Sequence, residues 1–333
     1  MIRRVGPAIG LYFLAPLISE FLLGDFPITK LGIILILAPM YGGGALLIRE
    51  IARRTGGGWP MMITLALAYG IFEEAFTTQT LFNPNYLGLN LHLLDHGFIP
   101  ALGIGAWWTV FVLTLHTIWS ISVSIGLVEA LVPDRATQPW LRTLGLTIVS
   151  ILLVAVAIMM TKFSIKSDHN HFIATKAQFV WSAVLVIVVA AAAFFLPKSR
   201  ASEGPEPAPN PWVVGFAALV LTSLFVAIRP AWGWGAAGCY FALDMVAIAV
   251  FSVWSRRAGW NSLHRLALAG GAALTYAWHA FFQAPVTGGS AMLNLISHLV
   301  FGFGLLVLLW FAARRTSRFV SESRGSQTVQ LQA

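Results

Sequence analysis

Apolar residues along this chain come in long unbroken blocks, not in the alternation of a strand or the narrow stripe of a soluble amphipathic helix. Ten blocks stand out, at roughly 6–23, 31–48, 59–82, 105–131, 143–161, 177–196, 212–228, 234–254, 263–283 and 291–313. A helix rising ~1.5 Å per residue needs about 20 apolar residues to cross the ~30 Å hydrocarbon core of a bilayer. The pattern therefore predicts an all-α polytopic transmembrane bundle of about ten spans. Residues 1–315 read as a single membrane domain and residues 316–333 as a disordered cytoplasmic tail. After the sixth block, the segment 198–211, KSRASEGPEPAPNP, has the composition of a flexible linker and divides the chain into possible halves, 1–161 and 177–313.

Composition strengthens this reading. The chain of 333 residues is 58% hydrophobic and 10% charged, against about 25% charged in an ordinary soluble domain. A net charge of +8 would point to nucleic acid in a soluble protein. Here the basic residues gather at block ends, so the expected partner is the lipid bilayer and nucleic acid is not expected. With the N-terminus placed in the cytoplasm, only Lys30, Lys162, Lys166, Lys176 and Arg229 of the 21 basic residues fall outside, and the other 16 fall inside. This bias predicts a plasma-membrane protein with both termini cytoplasmic and the first apolar block retained as a helix. The single cysteine, Cys239, excludes an intrachain disulfide and any multi-cysteine metal cluster, and reads as small apolar filler.

Polar residues inside the blocks carry the functional information. Glu73 and Glu74 are adjacent in the third block, WPMMITLALAYGIFEEAFTTQTLF. An ionised carboxylate at mid-membrane costs about 2.5–3.5 kcal/mol, so both are expected to face a cavity or a partner helix. Counted from the outer end of their blocks, Glu73, His116, Asp244, His298 and His279 lie between four and eleven residues deep, a rough layer in the outer half of the membrane. In the fourth block His116, Ser120 and Ser124 share one helix face, with Trp119 beside them. Glu20, Glu129 and the pair Arg49–Glu50 lie near block ends and read as structural. Pro39 and Gly42-Gly43-Gly44 interrupt the second block, where a broken helix or a close neighbour is expected. Two outer loops complete the picture. Residues 83–104 form a semi-apolar connector or lid, with Asp95 between His92 and His96. Residues 162–176 carry Asp168, His169 and His171, which read as a solvated turn rather than a metal site.

The sequence EEAFTT, followed about forty residues later by VLTLH, resembles the CAAX-protease and bacteriocin-processing family of intramembrane proteases. Members carry EExxxR on one helix, FxxxH on the next, and a later His followed by xxx and Asn. Glu73 and Glu74 match the first motif and His116 the histidine of the second. Thr78 stands where the family has arginine, and Val112 where it has phenylalanine. The third motif is represented by His279 followed by Gln283, or by His298. The resemblance covers residues 59–130 approximately, and implies a hydrolase that activates water with Glu73 and His116 to cut a membrane-anchored peptide.

The residues themselves leave three readings open. One is that glutamate-dependent hydrolase. Another is a proton-coupled transporter of a small molecule, whose substrate or proton path uses Asp244, Ser120, Thr78 and Gln283, with acids in blocks three and eight and histidines in four and nine. The third is a non-catalytic scaffold. A divalent metal such as zinc, held by Glu73, His116 and His279, is compatible with the first two and required by neither.

Overall fold

The structure, a computed structural model, describes residues 2–89, 91–168, 171–196, 198 and 204–332. His169 and residues 199–203 of the expected linker, Arg200 among them, lie outside the described residues. The chain is all-α. Its first helical segment is α1 (Ile2–Pro16), continued by a π-helical turn, Leu17–Leu22. The second opens with a 3₁₀ turn, Ile28–Ile33, passes through α2 (Ile34–Leu37) and a π turn, Ala38–Gly42, and ends as α3 (Gly43–Arg54). The third is α4 (Trp59–Phe72) with the π turn Glu73–Thr77. The fourth joins α5 (Ala106–Leu115), the π turn His116–Val123 and α6 (Ser124–Leu131). Then follow α7 (Thr143–Ser167), α8 (Lys176–Phe195), α9 (Pro211–Ala227), α10 (Trp234–Ser255), α11 (Ser262–His279) and α12 (Ala291–Gln332).

These segments occupy the positions of the ten apolar blocks, but among the described residues seven helices are long and apolar enough to cross a membrane. The other three are the glutamate-bearing α4 segment, the 17-residue α9, and α11 with His264, Arg265 and His279. Length and composition therefore support seven crossings, against the ten read from the sequence. Helix α12 continues to Gln332, through the residues expected to form a disordered tail. Cys239 is exposed on α10 rather than packed as filler.

Burial separates an inner set of helices from an outer one. The apolar windows of the first, second and fourth segments are 44%, 56% and 61% buried, whereas those of α7, α8, α10 and α12 are between 11% and 22% buried. The outer helices turn residues such as Ile151, Val180, Ile187, Ile248 and Phe303 outward, as a hydrocarbon solvent demands of helices that are apolar all round. The inner set brings the four π turns together.

The expected halves share their packing. One apolar cluster runs from Ala8 to Ala193 through α1, α3, α4 and α6–α8. A second joins Ile18, Trp119 and Val123 of the first half to Phe225, Tyr240 and Tyr276 of the second. Residues 204–211 are anchored rather than free. Strand β1 (Gly204–Pro207) pairs in parallel with β2 (Arg257–Ala258), Glu206 meets Arg257 at 2.8 Å, and Pro209 O accepts from His264 Nε2 at 2.9 Å. Helices α9 and α11 then pack through small residues. A methyl group on Gly271 would sit 2.3 Å from Gly215 O, an approach that only glycine allows.

Candidate functional site

Two helices and a turn build the centre of the site. At the end of α4 the backbone widens into the π turn Glu73–Thr77, closed by Thr78 N–H donating to Glu73 O at 3.0 Å. A π turn carries more residues per turn than an α-helix, so consecutive side chains diverge less, and both glutamates stay on the inner face. His116 opens the next π turn, on the facing helix. Gly70, one α-helical turn before Glu74, lets the two helices approach: a methyl there would be 3.2 Å from His116 Cβ.

The imidazole lies between the two carboxylates. His116 Nε2 is 2.8 Å from Glu74 Oε1, and Nδ1 is 3.3 Å from Glu73 Oε2. Ser120 Oγ also reaches Nδ1, at 3.2 Å, across one turn. The second oxygen of Glu74 accepts from Thr78 Oγ1 at 3.2 Å and from Thr80 Oγ1, which in turn accepts from Trp108 Nε1 at 3.0 Å. Glu74 is thus tied down on both oxygens. Glu73 differs: its buried Oε2 lies 3.3 Å from Nδ1 and makes no well-aligned hydrogen bond, with the Tyr41 and Tyr69 hydroxyls as the other polar neighbours of this carboxylate. Glu73, Glu74 and His116 are 1%, 3% and 4% exposed, so this oxygen finds no compensation in bulk water.

Three further residues complete the shell, and sequence reasoning missed their roles. Tyr41, from the π turn Ala38–Gly42, stacks on His116 with ring centroids 6.1 Å apart and 14° between planes. The Tyr69 hydroxyl is buried against the Glu73 carboxylate. Its ring packs over Gly44, where a methyl would come within 2.5 Å of Cε2. Glu20, expected at a helix end in interfacial water, instead lies half-buried in the π turn Leu17–Leu22, where Asp25, Glu73 and His116 are its charged neighbours. A usable signal was present for it: Glu20 is an acid inside an apolar block, as Glu73 is.

The rest of the expected layer is dispersed. Asp244 accepts from Thr114 Oγ1 at 2.7 Å on α5. His279 is half-buried with its ring against Trp278, and His298 is buried with its ring against Phe281. Gln283 donates to Asp25 Oδ1 at 2.9 Å. Among the described residues, the groups that can hold a metal ion reduce to Glu73, Glu74 and His116, one ligand atom each and all within 4.8 Å. The expected set with His279 is therefore replaced by one with Glu74. In the two loops expected on the outer side, His171 donates to Ile165 O at 3.0 Å and Asp168 accepts from Asn83 at 2.7 Å, while His92 and Asp95 pair at the surface. None of these loop groups joins the site.

Asp25 sits in the turn between the first two helical segments. Its carboxyl is pushed up to about 6 by burial, an effect partly offset by the Gln283 amide. At the far end of the second segment a separate ionic network is buried. Arg49, fully enclosed, contacts Glu129 at 3.0 Å and Glu50 at 3.2 Å, stacks its guanidinium 3.2 Å from the Trp140 ring centre, and donates to the Ala136 carbonyl at 2.8 Å. Every carboxylate there has an arginine. Around Glu73 the strongest charged neighbours are His116 and Glu74, and neither is a lysine or arginine.

No curated protein and no solved structure matches the chain. Residues 11–316 match an uncharacterized membrane protein family, and the chain belongs to it.

Proposed function

We propose that this member of an uncharacterized membrane protein family is a glutamate-dependent membrane hydrolase, CAAX-protease-like in its chemistry, acting on a membrane-anchored peptide. The observation that carries the reading is the asymmetry of the two glutamates. Glu74 is held on both oxygens and fixes the His116 ring, whereas Glu73 keeps one buried oxygen without a well-aligned hydrogen bond, next to that ring.

In this reading Glu73 takes a proton from water while the water oxygen attacks the scissile carbonyl carbon. His116, oriented by Glu74 and Ser120, stabilises the oxyanion that forms. Collapse of the tetrahedral species breaks the C–N bond, and Glu73 returns its proton to the departing amine. Thr78, in place of the resembled family's arginine, supports Glu74 by a hydrogen bond. The protein would work in the plasma membrane with both termini cytoplasmic and the site reached from the outer side, past Asp25 and Glu20.

The test is cleavage of prenylated and acylated peptides by the protein in lipid nanodiscs. Loss of a general base costs typically 10²–10⁴-fold, so Glu73→Gln is expected to lose at least about 100-fold while its thermal unfolding stays cooperative. Equal cleavage by the wild type and Glu73→Gln overturns the assignment. No cleavage of any such peptide by folded wild-type protein overturns the hydrolase. The acids at the outer approach, Asp25 and Glu20, favour one second reading, a proton-coupled carrier. Its sign would be uptake driven by a pH gradient in proteoliposomes and abolished by Glu20→Gln.

A further inference from the structure

Three carboxylates, Glu20, Glu73 and Glu74, surround one imidazole inside the bundle. If all three were ionised, even a fully protonated His116 would leave two negative charges with no lysine or arginine beside them, in a setting where each uncompensated charge is costly and must be met by a proton or a cation. The same chain shows the alternative at its other end, where Glu50 and Glu129 are matched by Arg49 and Arg53. The site is built differently.

We propose that Glu73, Glu74 and His116 bind one divalent transition-metal cation, of the zinc class. Each residue offers one donor, and the three donor atoms lie within 4.8 Å of one another. Donors on a tetrahedral zinc ion stand about 3.4 Å apart, so side-chain shifts of about 1–1.5 Å would bring all three onto it. Oxygen and imidazole donors without thiolate suit zinc, iron or manganese rather than a soft metal. Glu73 Oε2, buried and without a well-aligned hydrogen bond, is the position a cation would complete. The cation would replace the proton shared between His116 Nε2 and Glu74 Oε1, which leaves as metal binds. Ser120 would remain on Nδ1 as the group that orients the ring, and Thr78 and Thr80 would orient Glu74. A remaining coordination position would belong to water; with metal bound, activation of that water would pass to the cation and Glu73 and His116 would serve as its ligands, a variant of the hydrolase reading on which the site itself does not depend.

The experiment is metal content, measured apart from activity. Purified full-length protein is stripped with chelator, re-equilibrated with zinc chloride or manganese chloride in turn, desalted and analysed by plasma mass spectrometry, with thermal unfolding in parallel. One equivalent of metal per chain is expected, together with a rise in unfolding temperature that grows with metal concentration. Affinity should fall at least about tenfold in Glu73→Gln and in His116→Asn, and stay unchanged in Asp244→Asn, which lies outside the site. Retention equal in Glu73→Gln and the wild type, or no saturable binding and no thermal shift with either salt, overturns the metal site. Cleavage by a protein that takes up no saturable metal would overturn the site while leaving the hydrolase standing. Stoichiometric metal without cleavage would do the reverse.

Discussion

At the scale of single residues, the cost of burying charge explains both what was readable and what was not. Glu73, Glu74 and His116 announced themselves because ionisable groups deep in apolar blocks must find each other or water. Glu20 obeys the same rule, yet three residues from its block end it read as a surface group, since sequence position does not show which way a helix end leans. Asp25 carries a pH prediction. Burial raises its carboxyl to about 6, against about 3.9 in an unfolded chain. The folded state therefore holds the extra proton between these values, so stability falls as pH rises from about 4 through about 6 and is level above. Asp25→Asn keeps an amide oxygen for Gln283 and removes the titration. Thermal unfolding should show the variant at least as stable as the wild type at pH 8 and the advantage shrinking toward pH 4; a pH-independent gap would contradict it. Arg49 carries another. Removing one partner of a buried ion pair costs about 3–5 kcal/mol, and Arg49→Ala takes the enclosed central cation from both Glu50 and Glu129, leaving them only Arg54 and Arg53. A loss of that order in chemical unfolding is expected, and a loss under about 1 kcal/mol would show that the network opens to water.

At the scale of elements, the apolar blocks located the helices well but could not show their winding. The second block's Pro39 and triple glycine predicted a break or a close neighbour. The structure keeps the helix and rewinds it as a π turn, because proline lacks only its own N–H and the wider turn accommodates its ring. The close neighbour is real: a methyl on Gly42 would sit 2.0 Å from the Tyr12 carbonyl oxygen. Gly42→Ala must push backbone against backbone, and a loss of about 1–3 kcal/mol or more is expected. Gly70→Ala makes a gentler test, since its 3.2 Å contact is with the His116 side chain. It should unfold close to the wild-type temperature and still lose peptide cleavage, because a shift of a few tenths of an ångström moves the imidazole off Glu73. Full activity in Gly70→Ala would show that this helix spacing does not set the site.

At the scale of the whole molecule, the unresolved difference between seven and ten crossings rests on the short or polar segments, and α9 is the sharpest case. Its 17 residues span about 26 Å at ~1.5 Å per residue, short of the ~30 Å hydrocarbon core by an amount that local thinning or flanking residues can absorb. Its apolar face packs on α11 through Gly215 and Gly271, and Arg229 stands at one end with Lys198 beyond the other. If α9 crosses, these two positions lie on opposite sides of the membrane, as the distribution of basic residues predicts. Replacing exposed Cys239 by serine provides a thiol-free background, into which Lys198→Cys and Arg229→Cys are introduced one at a time. In intact cells an impermeant maleimide should label Arg229→Cys and leave Lys198→Cys unlabelled until the membrane is permeabilised. Carried further along the chain, Lys166→Cys and Lys176→Cys should label from outside, and Arg256→Cys and Arg318→Cys only after permeabilisation, because an odd number of helices separates Lys176 from Arg256 and an even number separates Arg256 from Arg318. Labelling of positions 198 and 229 from the same side would make α9 a non-crossing helix and invert every later loop.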